Sequence, residues 1–76
     1  MPGLRNVSGE ETVKILCNKF GFHISGQSGS HVRLSKTMPQ GKVGTVVPMH
    51  AVLKIGTLKS VLKLARISSE EFAEYL

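Results

Sequence analysis

Residues 22–47 have the sequence FHISGQSGSHVRLSKTMPQGKVGTVV, which has the pattern of three strands joined by two turns. Apolar and polar residues alternate in its first two thirds, the period of a strand with one buried face. β-branched residues dominate the last third, up to Pro48, which cannot donate to a ladder. The predicted strands are residues 22–25, 30–36 and 42–47. The predicted turns between them, rich in Gly, Ser and Pro, are residues 26–29 and 37–41.

Helical signals flank this stretch on both sides. Ser8-Gly9-Glu10-Glu11 has the spacing of a capping box, and Gly21 suits the left-handed residue that ends a helix. Towards the C-terminus, Thr57 is the predicted N-cap of a second helix, and residues 68–71 form the capping box of a short third helix. The expected apolar stripes are Val13, Leu16, Cys17 and Phe20 in the first helix, Leu58, Val61, Leu62 and Ala65 in the second, and Phe72 with Leu76 in the third.

This order of elements predicts a two-layer α+β domain of the type α-β-β-β-α with a short C-terminal helix. Both long helices carry a single apolar stripe, so we expect them to cover the same face of the antiparallel three-stranded sheet. Alternation along the second strand puts His31, Arg33 and Ser35 on the other face, which should be open to solvent. We expect one domain over residues 1–76, with residues 1–7 as a flexible entry segment.

Charge is distributed unevenly along the 76-residue chain, which has a formal net charge of +5. Nine of the ten Lys and Arg residues lie between Thr12 and Ser69, a span without any Asp or Glu. This distribution favours a polyanionic partner. Metal-dependent nucleases, glycosidases and Ser-His-Asp hydrolases need carboxylates, so these classes are disfavoured. The three histidines lack ligand spacing and supporting ligands, so we expect no metal and no cofactor.

The cellular compartment is predicted from cysteine usage and hydropathy. Cys17 is the one cysteine, which precludes an internal disulfide; we interpret it as a core thiol that fits a reducing compartment. No apolar run approaches the roughly 18 residues that a membrane span requires. The first residues also lack the apolar segment of a secretory signal. We therefore expect a cytoplasmic protein with no membrane association.

Histidine and the cations are the candidate functional groups. RNA supplies its own nucleophile, the 2′-hydroxyl group, so one imidazole with a few cations can suffice to cleave it. The turn preceding His31 places the imidazole of His31 at the start of a strand, in the part of the chain that is rich in cations and lacks carboxylates. His23 is interpreted as a surface histidine. His50 either assists RNA binding or caps a backbone group. Lys59, Lys63 and Arg66 form either a solvated helix face or a phosphate-binding stripe.

Aromatic residues give no support for recognition of unpaired bases by stacking. Phe20, Phe22 and Phe72 are expected in the core, which leaves Tyr75 alone. The sequence therefore does not predict a stacking platform, and sequence-specific recognition of RNA should be weak.

Five segments, in order and spacing, resemble the HicA family of toxin ribonucleases. They are Gly21-Phe22, Gln27-Ser28-Gly29-Ser30-His31, Val47-Pro48-Met49-His50, Lys54-Ile55-Gly56-Thr57-Leu58 and Ser69-Glu70-Glu71-Phe72. The resemblance covers roughly residues 8–76, and the combination is far more specific than any one segment. It implies a fold like that of double-stranded-RNA-binding domains, ribosome-independent cleavage of messenger RNA and an antitoxin of the HicB family. The histidine that matches the catalytic residue of the family is His31.

We therefore expect a toxin endoribonuclease, an mRNA interferase, that cleaves RNA without metal and uses His31 as general acid/base. The alternative is a non-catalytic RNA-binding or partner-binding domain of the same fold. Besides His31, the residues expected to contact RNA are Gln27, Ser28, Gly29, Ser30, Arg33, Lys36, His50, Lys54 and Lys59.

Overall fold

The structure is a computed structural model and describes residues 3–76. Its elements are α1 (Gly9–Lys19), β1 (His23–Ser28), β2 (His31–Met38), β3 (Gly41–Pro48), α2 (Ile55–Ala65) and α3 (Ser69–Ala73). The three strands form one antiparallel sheet in the order β1-β2-β3. The predicted α+β fold with a three-stranded antiparallel sheet and a short C-terminal helix is confirmed. None of the described helices is long and apolar enough to cross a membrane.

The two faces of the sheet differ as the alternation predicts. On β2, Val32 and Leu34 are buried while His31 and Arg33 are exposed. On β3 the inward residues are Val43, Thr45 and Val47. The helices cover this inward face on β2 and β3, whereas Ile24 on the same side of β1 is 57% exposed. The largest fully buried side chains of the core are Phe72, Leu16, Leu34, Leu53, Leu58 and Leu62. The opposite side of the sheet, here called the open face, is left to solvent.

Strand β1 is longer than predicted, and the turn expected at residues 26–29 is wrong. The chain reverses instead at Gly29-Ser30, where Gly29 has φ +58° at the first central position, as a type II′ hairpin turn prefers. Gly26 lies inside the strand next to a bulge that shifts the register between Ile24 and Gly26. The guanidinium of Arg33 fills the space that a side chain at position 26 would occupy. The glycine at position 26 therefore allows the Arg33 side chain to approach the backbone closely, and local turn preferences do not predict this contact.

Helix α1 begins and ends at the predicted caps, but its predicted capping box is only half formed, since within residues 3–76 the Glu11 side chain makes no hydrogen bond to the Ser8 N–H. The Ser8 hydroxyl accepts a hydrogen bond from the N–H of Glu11 at 2.9 Å. At the other end, Gly21 adopts φ +76°, and the N–H of Phe22 returns to the carbonyl of Leu16. The caps of this helix are therefore encoded locally.

The buried face of α1 is centred differently from the predicted stripe. Thr12, Ile15 and Leu16 are buried, whereas Val13, Cys17 and Phe20 are only partly so. Thr12 can be buried because its hydroxyl donates to the Ser8 carbonyl at 2.8 Å, which leaves no unpaired polar group. Partial burial raises the pKa of the Cys17 thiol by desolvation, so it stays protonated at neutral pH.

Helix α2 begins earlier than predicted, and Thr57 is not its N-cap. The N-cap is Lys54, whose backbone carbonyl accepts the N–H of Leu58 at 2.9 Å and whose side chain makes no cap hydrogen bond. Lysine is not a preferred N-cap residue, so residue preferences predict the nearby Thr57 as the cap instead. The predicted stripe of Leu58, Val61, Leu62 and Ala65 is confirmed as buried.

The end of α2 and the third helix complete the helical layer. Arg66 follows α2 in the left-handed conformation, with φ +61°. It therefore lies just beyond α2, whereas the predicted cationic stripe places it within the helix. The capping box of α3 is confirmed, since Ser68 and Glu71 exchange both hydrogen bonds. Phe72 is fully buried, while Leu76 lies after the helix and is 38% exposed.

The entry segment contributes to the core. Leu4 and Val7 are buried, and the Val7 carbonyl accepts the N–H of Leu53 at 2.7 Å. Two apolar residues without periodicity gave no sequence signal for this packing. Residues 1 and 2 of the predicted flexible segment lie outside the described part of the chain.

Candidate functional site

The open face is organised in three rows that cross the sheet. Directly paired residues of antiparallel strands share a face, so the register assigns each row. The rows are His23, Ser35 and Gly44, then Gly26, Arg33 and Val46, then Ser28, His31 and Pro48. On β2 and β3 adjacent rows lie two residues apart, about 7 Å along a strand, whereas on β1 the bulge separates His23 and Gly26 by three residues.

His31 occupies the third row at the first position of β2, directly after the Gly29-Ser30 turn. Its side chain is exposed, and no side-chain hydrogen bond involves it within residues 3–76. The tight turn fixes the backbone at this position, and the neighbours of His31 in its row are Ser28 and Pro48. The imidazole is thus available to exchange protons with a bound molecule.

The end of the sheet at His31 is anchored to helix α1. The N–H of Met49 donates to the Ser30 carbonyl at 2.6 Å, and the N–H of Gly9 donates to the His50 carbonyl at 3.0 Å. His50 itself is exposed and lines a shallow depression with Ser8 and Glu10. The structure therefore brings His50 to the same end of the molecule as the turn that precedes His31.

Arg33 provides the cation of the middle row. Its guanidinium lies over Gly26, and the exposed side chain of Val46 is its neighbour on β3. The five acidic residues of the chain are all glutamates within or directly after helices, and none belongs to the sheet. The positive charge of Arg33 is therefore not neutralised on this face.

Other predicted contact residues lie away from the open face. Gln27 pairs with Val32, and its side-chain amide donates to the Gly29 carbonyl at 3.2 Å, so it supports the turn. Lys36 is on the helix-covered side, with its Nζ 5.7 Å from the centroid of the Phe22 ring. Lys54 and Lys59 belong to the cap and exposed surface of α2.

The structure adds a residue pair that sequence reasoning set aside. His23 lies on the open face, and its Nε2 is 3.1 Å from the Ser35 hydroxyl across the two strands. Alternation puts His23 at a polar position of β1 and Ser35 at a polar position of β2, but it does not show that the two are paired, because the bulge at Ile24/Gly26 shifts the register.

Metal ligands do not converge among the described residues: no group of three or more His, Cys, Asp or Glu side chains could hold an ion. The histidines of the open face are separated, with His23 in the first row and His31 in the third.

Comparison with known proteins identifies the family. A family model described as the HicA toxin of bacterial toxin–antitoxin systems matches residues 9–67, most of the chain, and confirms the resemblance in the sequence motifs. No curated protein and no solved structure matches the chain. The chain therefore belongs to the HicA toxin family, and its role is that of a toxin that pairs with an antitoxin.

Proposed function

We propose that the protein is an endoribonuclease toxin, an mRNA interferase, that cleaves RNA without a metal ion and uses His31 as general acid/base. The observation that carries the proposal is the position of His31. Its exposed imidazole lies at the start of β2, on a face that contains Arg33, polar side chains, glycines, Val46 and Pro48 but no carboxylate. Such a group can approach a polyanion without repulsion from a carboxylate.

The chemistry follows from what RNA contributes. As general base, His31 removes the proton of a 2′-hydroxyl group, and the 2′-oxygen attacks the adjacent phosphorus. The bond from phosphorus to the 5′-oxygen breaks, and that oxygen takes up a proton, which the imidazolium can return. The products are a 2′,3′-cyclic phosphate and a 5′-hydroxyl end. Positioned proton transfer contributes about 10²–10⁴-fold, so this is a modest enzyme.

RNA contacts divide into a central and a flanking set. Arg33 lies one row from His31 and can bind a phosphate next to the cleaved bond. Ser28 and the turn residues Gly29 and Ser30 border His31 and complete the central set with His50. The flanking set lies outside the open face and would be reached by longer RNA; it comprises Lys36, Lys54 and Lys59.

The antitoxin is proposed to be a HicB-like protein that covers the open face. An exposed catalytic imidazole would act on RNA at all times unless a partner occluded it. The net charge of +5 favours an acidic surface on that partner. Inhibition would then be direct competition between antitoxin and RNA for the same cations.

The experiment that tests the function compares RNA cleavage by wild type and His31→Ala in the presence of a chelator. We expect the substitution to lower the rate by about 10²–10⁴-fold. Thermal unfolding should be unchanged, because the exposed side chain has no packing role. An RNA in which the cleaved nucleotide lacks its 2′-hydroxyl should resist the wild type. Equal activity of His31→Ala, or cleavage of the deoxy-substituted RNA, would rule the mechanism out.

A further inference from the structure

We infer that the open face is a stacking platform for unpaired bases, in which the imidazole of His23, oriented by Ser35, contacts the substrate. This deepens the proposed function, on which it rests, by assigning the substrate class as single-stranded RNA. Three features of the sheet support such a platform: a set of planar side chains, one oriented imidazole and a glycine that no backbone constraint requires.

The planar side chains are spread over the three rows. His23, Arg33 and His31 occupy the first, second and third rows, one in each. Imidazole rings and guanidinium groups both stack on bases, so the scarcity of Phe, Tyr and Trp does not exclude a platform. Arg33 lies over Gly26, which lets its guanidinium rest close to the sheet. Successive rows about 7 Å apart would allow successive bases to contact successive side chains.

His23 is held in place rather than free to rotate in solvent. The 3.1 Å contact between its Nε2 and the Ser35 hydroxyl joins β1 to β2. An exposed side chain otherwise loses rotamer freedom when a ligand binds, and that loss opposes binding. The Ser35 contact reduces this cost, which is the expected property of a binding residue.

Gly44 gives the first row no side chain on β3 beside the His23–Ser35 pair. It lies opposite Ser35 on β3, is exposed, and does not adopt a positive φ. A Cβ there would meet the Leu34 carbonyl at 3.5 Å, an ordinary contact. Glycine inside a strand lowers stability, and here neither sterics nor backbone conformation demands it. Close approach of a ligand to the sheet accounts for it.

Charge complementarity identifies the occupant as nucleic acid, and the planar groups favour the unpaired form. The sheet contains no Asp or Glu, and Arg33 offers a cation in its middle row. A duplex would offer phosphates to Arg33 but would keep its bases stacked on each other, away from His23. A single strand satisfies both the cation and the planar side chains.

The test measures binding of a short unpaired DNA oligonucleotide, which has no 2′-hydroxyl and is not cleaved, and of its duplex. We expect the unpaired form to bind at least about 10-fold more tightly, since only it offers base faces. His23→Ala should weaken that binding about 10-fold, and His23→Phe, which keeps a planar ring, should restore it. Gly44→Val should weaken binding while thermal stability stays equal or rises. Ser60→Val adds the same side chain to exposed α2 and should leave binding unchanged.

The outcomes separate this inference from the proposed function. Equal binding of duplex and single strand, or wild-type binding by both His23→Ala and Gly44→Val, would overturn the platform even if the protein cleaves RNA. If His23→Phe binds as weakly as His23→Ala, stacking is also excluded. A protein that shows the expected binding pattern but cleaves no RNA would retain the platform and lose the enzymatic proposal.

Discussion

Gly9, in the first turn of α1, lies so close to Pro48, the last residue of β3, that a Cβ at position 9 would collide with the Pro48 carbonyl oxygen. The Cα of Met49 would be 2.8 Å from the same Cβ. Pro48 is also the partner of His31 in the sheet. This contact therefore fixes α1 against the end of the sheet that carries the proposed catalytic residue.

The first prediction concerns this contact. Gly9→Ala should lower the free energy of unfolding by about 1–3 kcal/mol, because both obstructing groups are backbone and must shift. For a domain of this size, each kcal/mol corresponds to a fall of about 4–8 °C in Tm. Differential scanning calorimetry measures the change.

Gly56→Ala is the matched control for Gly9→Ala. Gly56 lies in the first turn of α2, and nothing lies within 4 Å of its Cβ position. Alanine is favoured over glycine in a helix by up to about 1 kcal/mol, so this variant should be more stable than wild type. A Gly9→Ala protein that gains stability like Gly56→Ala would show that the Gly9–Pro48 approach is not constrained.

The second prediction separates two cations that are three residues apart on β2. For a short RNA confined to the open face, whose three rows contain Arg33 as their one Lys or Arg residue, the logarithm of the binding constant should fall with the logarithm of salt concentration with a slope of about −0.7, the value for one phosphate contact. Arg33→Gln should reduce the magnitude of this slope by about 0.7. Lys36→Gln should leave it unchanged, because Lys36 lies beside Phe22 on the helix-covered side. If Lys36→Gln reduces the slope and Arg33→Gln does not, RNA binds away from the open face.

The third prediction concerns the residue that ends α2. Arg66 adopts φ +61°, a conformation that costs a non-glycine residue roughly 1 kcal/mol or more. Arg66→Gly should raise stability by about 0.5–1 kcal/mol, after the greater freedom of glycine in the unfolded chain is subtracted. Arg66→Ala keeps the Cβ and should gain nothing. If chemical denaturation gives the two variants the same stability, backbone strain at Arg66 is not significant.

Local signals in the sequence were sufficient where the chain supplies its own partners. Ser8 and Ser68 cap α1 and α3 with their own hydroxyl groups, so both helix starts follow from residue type and spacing. The stripe of α2 follows from periodicity alone, because Leu58, Val61 and Leu62 all meet the same sheet face.

The remaining features depend on tertiary contacts that have no local signal. Lys54 caps α2 through its backbone, and Gly26 stays in a strand because the Arg33 side chain lies above it. In the candidate site, alternation located His31 and Arg33 on the open face. The His23–Ser35 pair depends on a register that the bulge in β1 shifts, so periodicity could not predict it.

The fourth prediction concerns the antitoxin and follows from the two faces of the molecule. The toxin offers an exposed methyl group on each: Val46 on the open face is 39% exposed, and Leu64 on α2 is 58% exposed. If the antitoxin inhibits by covering the proposed RNA surface, the NMR signals of the Val46 methyl groups and the His31 imidazole should shift in the complex, while those of Leu64 stay in place. RNA should compete with the antitoxin for binding. Arg33→Glu should weaken the binding of RNA and of the antitoxin, since both use the same cation. A tight, inhibitory complex that shifts Leu64 and leaves Val46 and His31 unchanged would show that the antitoxin binds the helical layer and inhibits without occluding the open face.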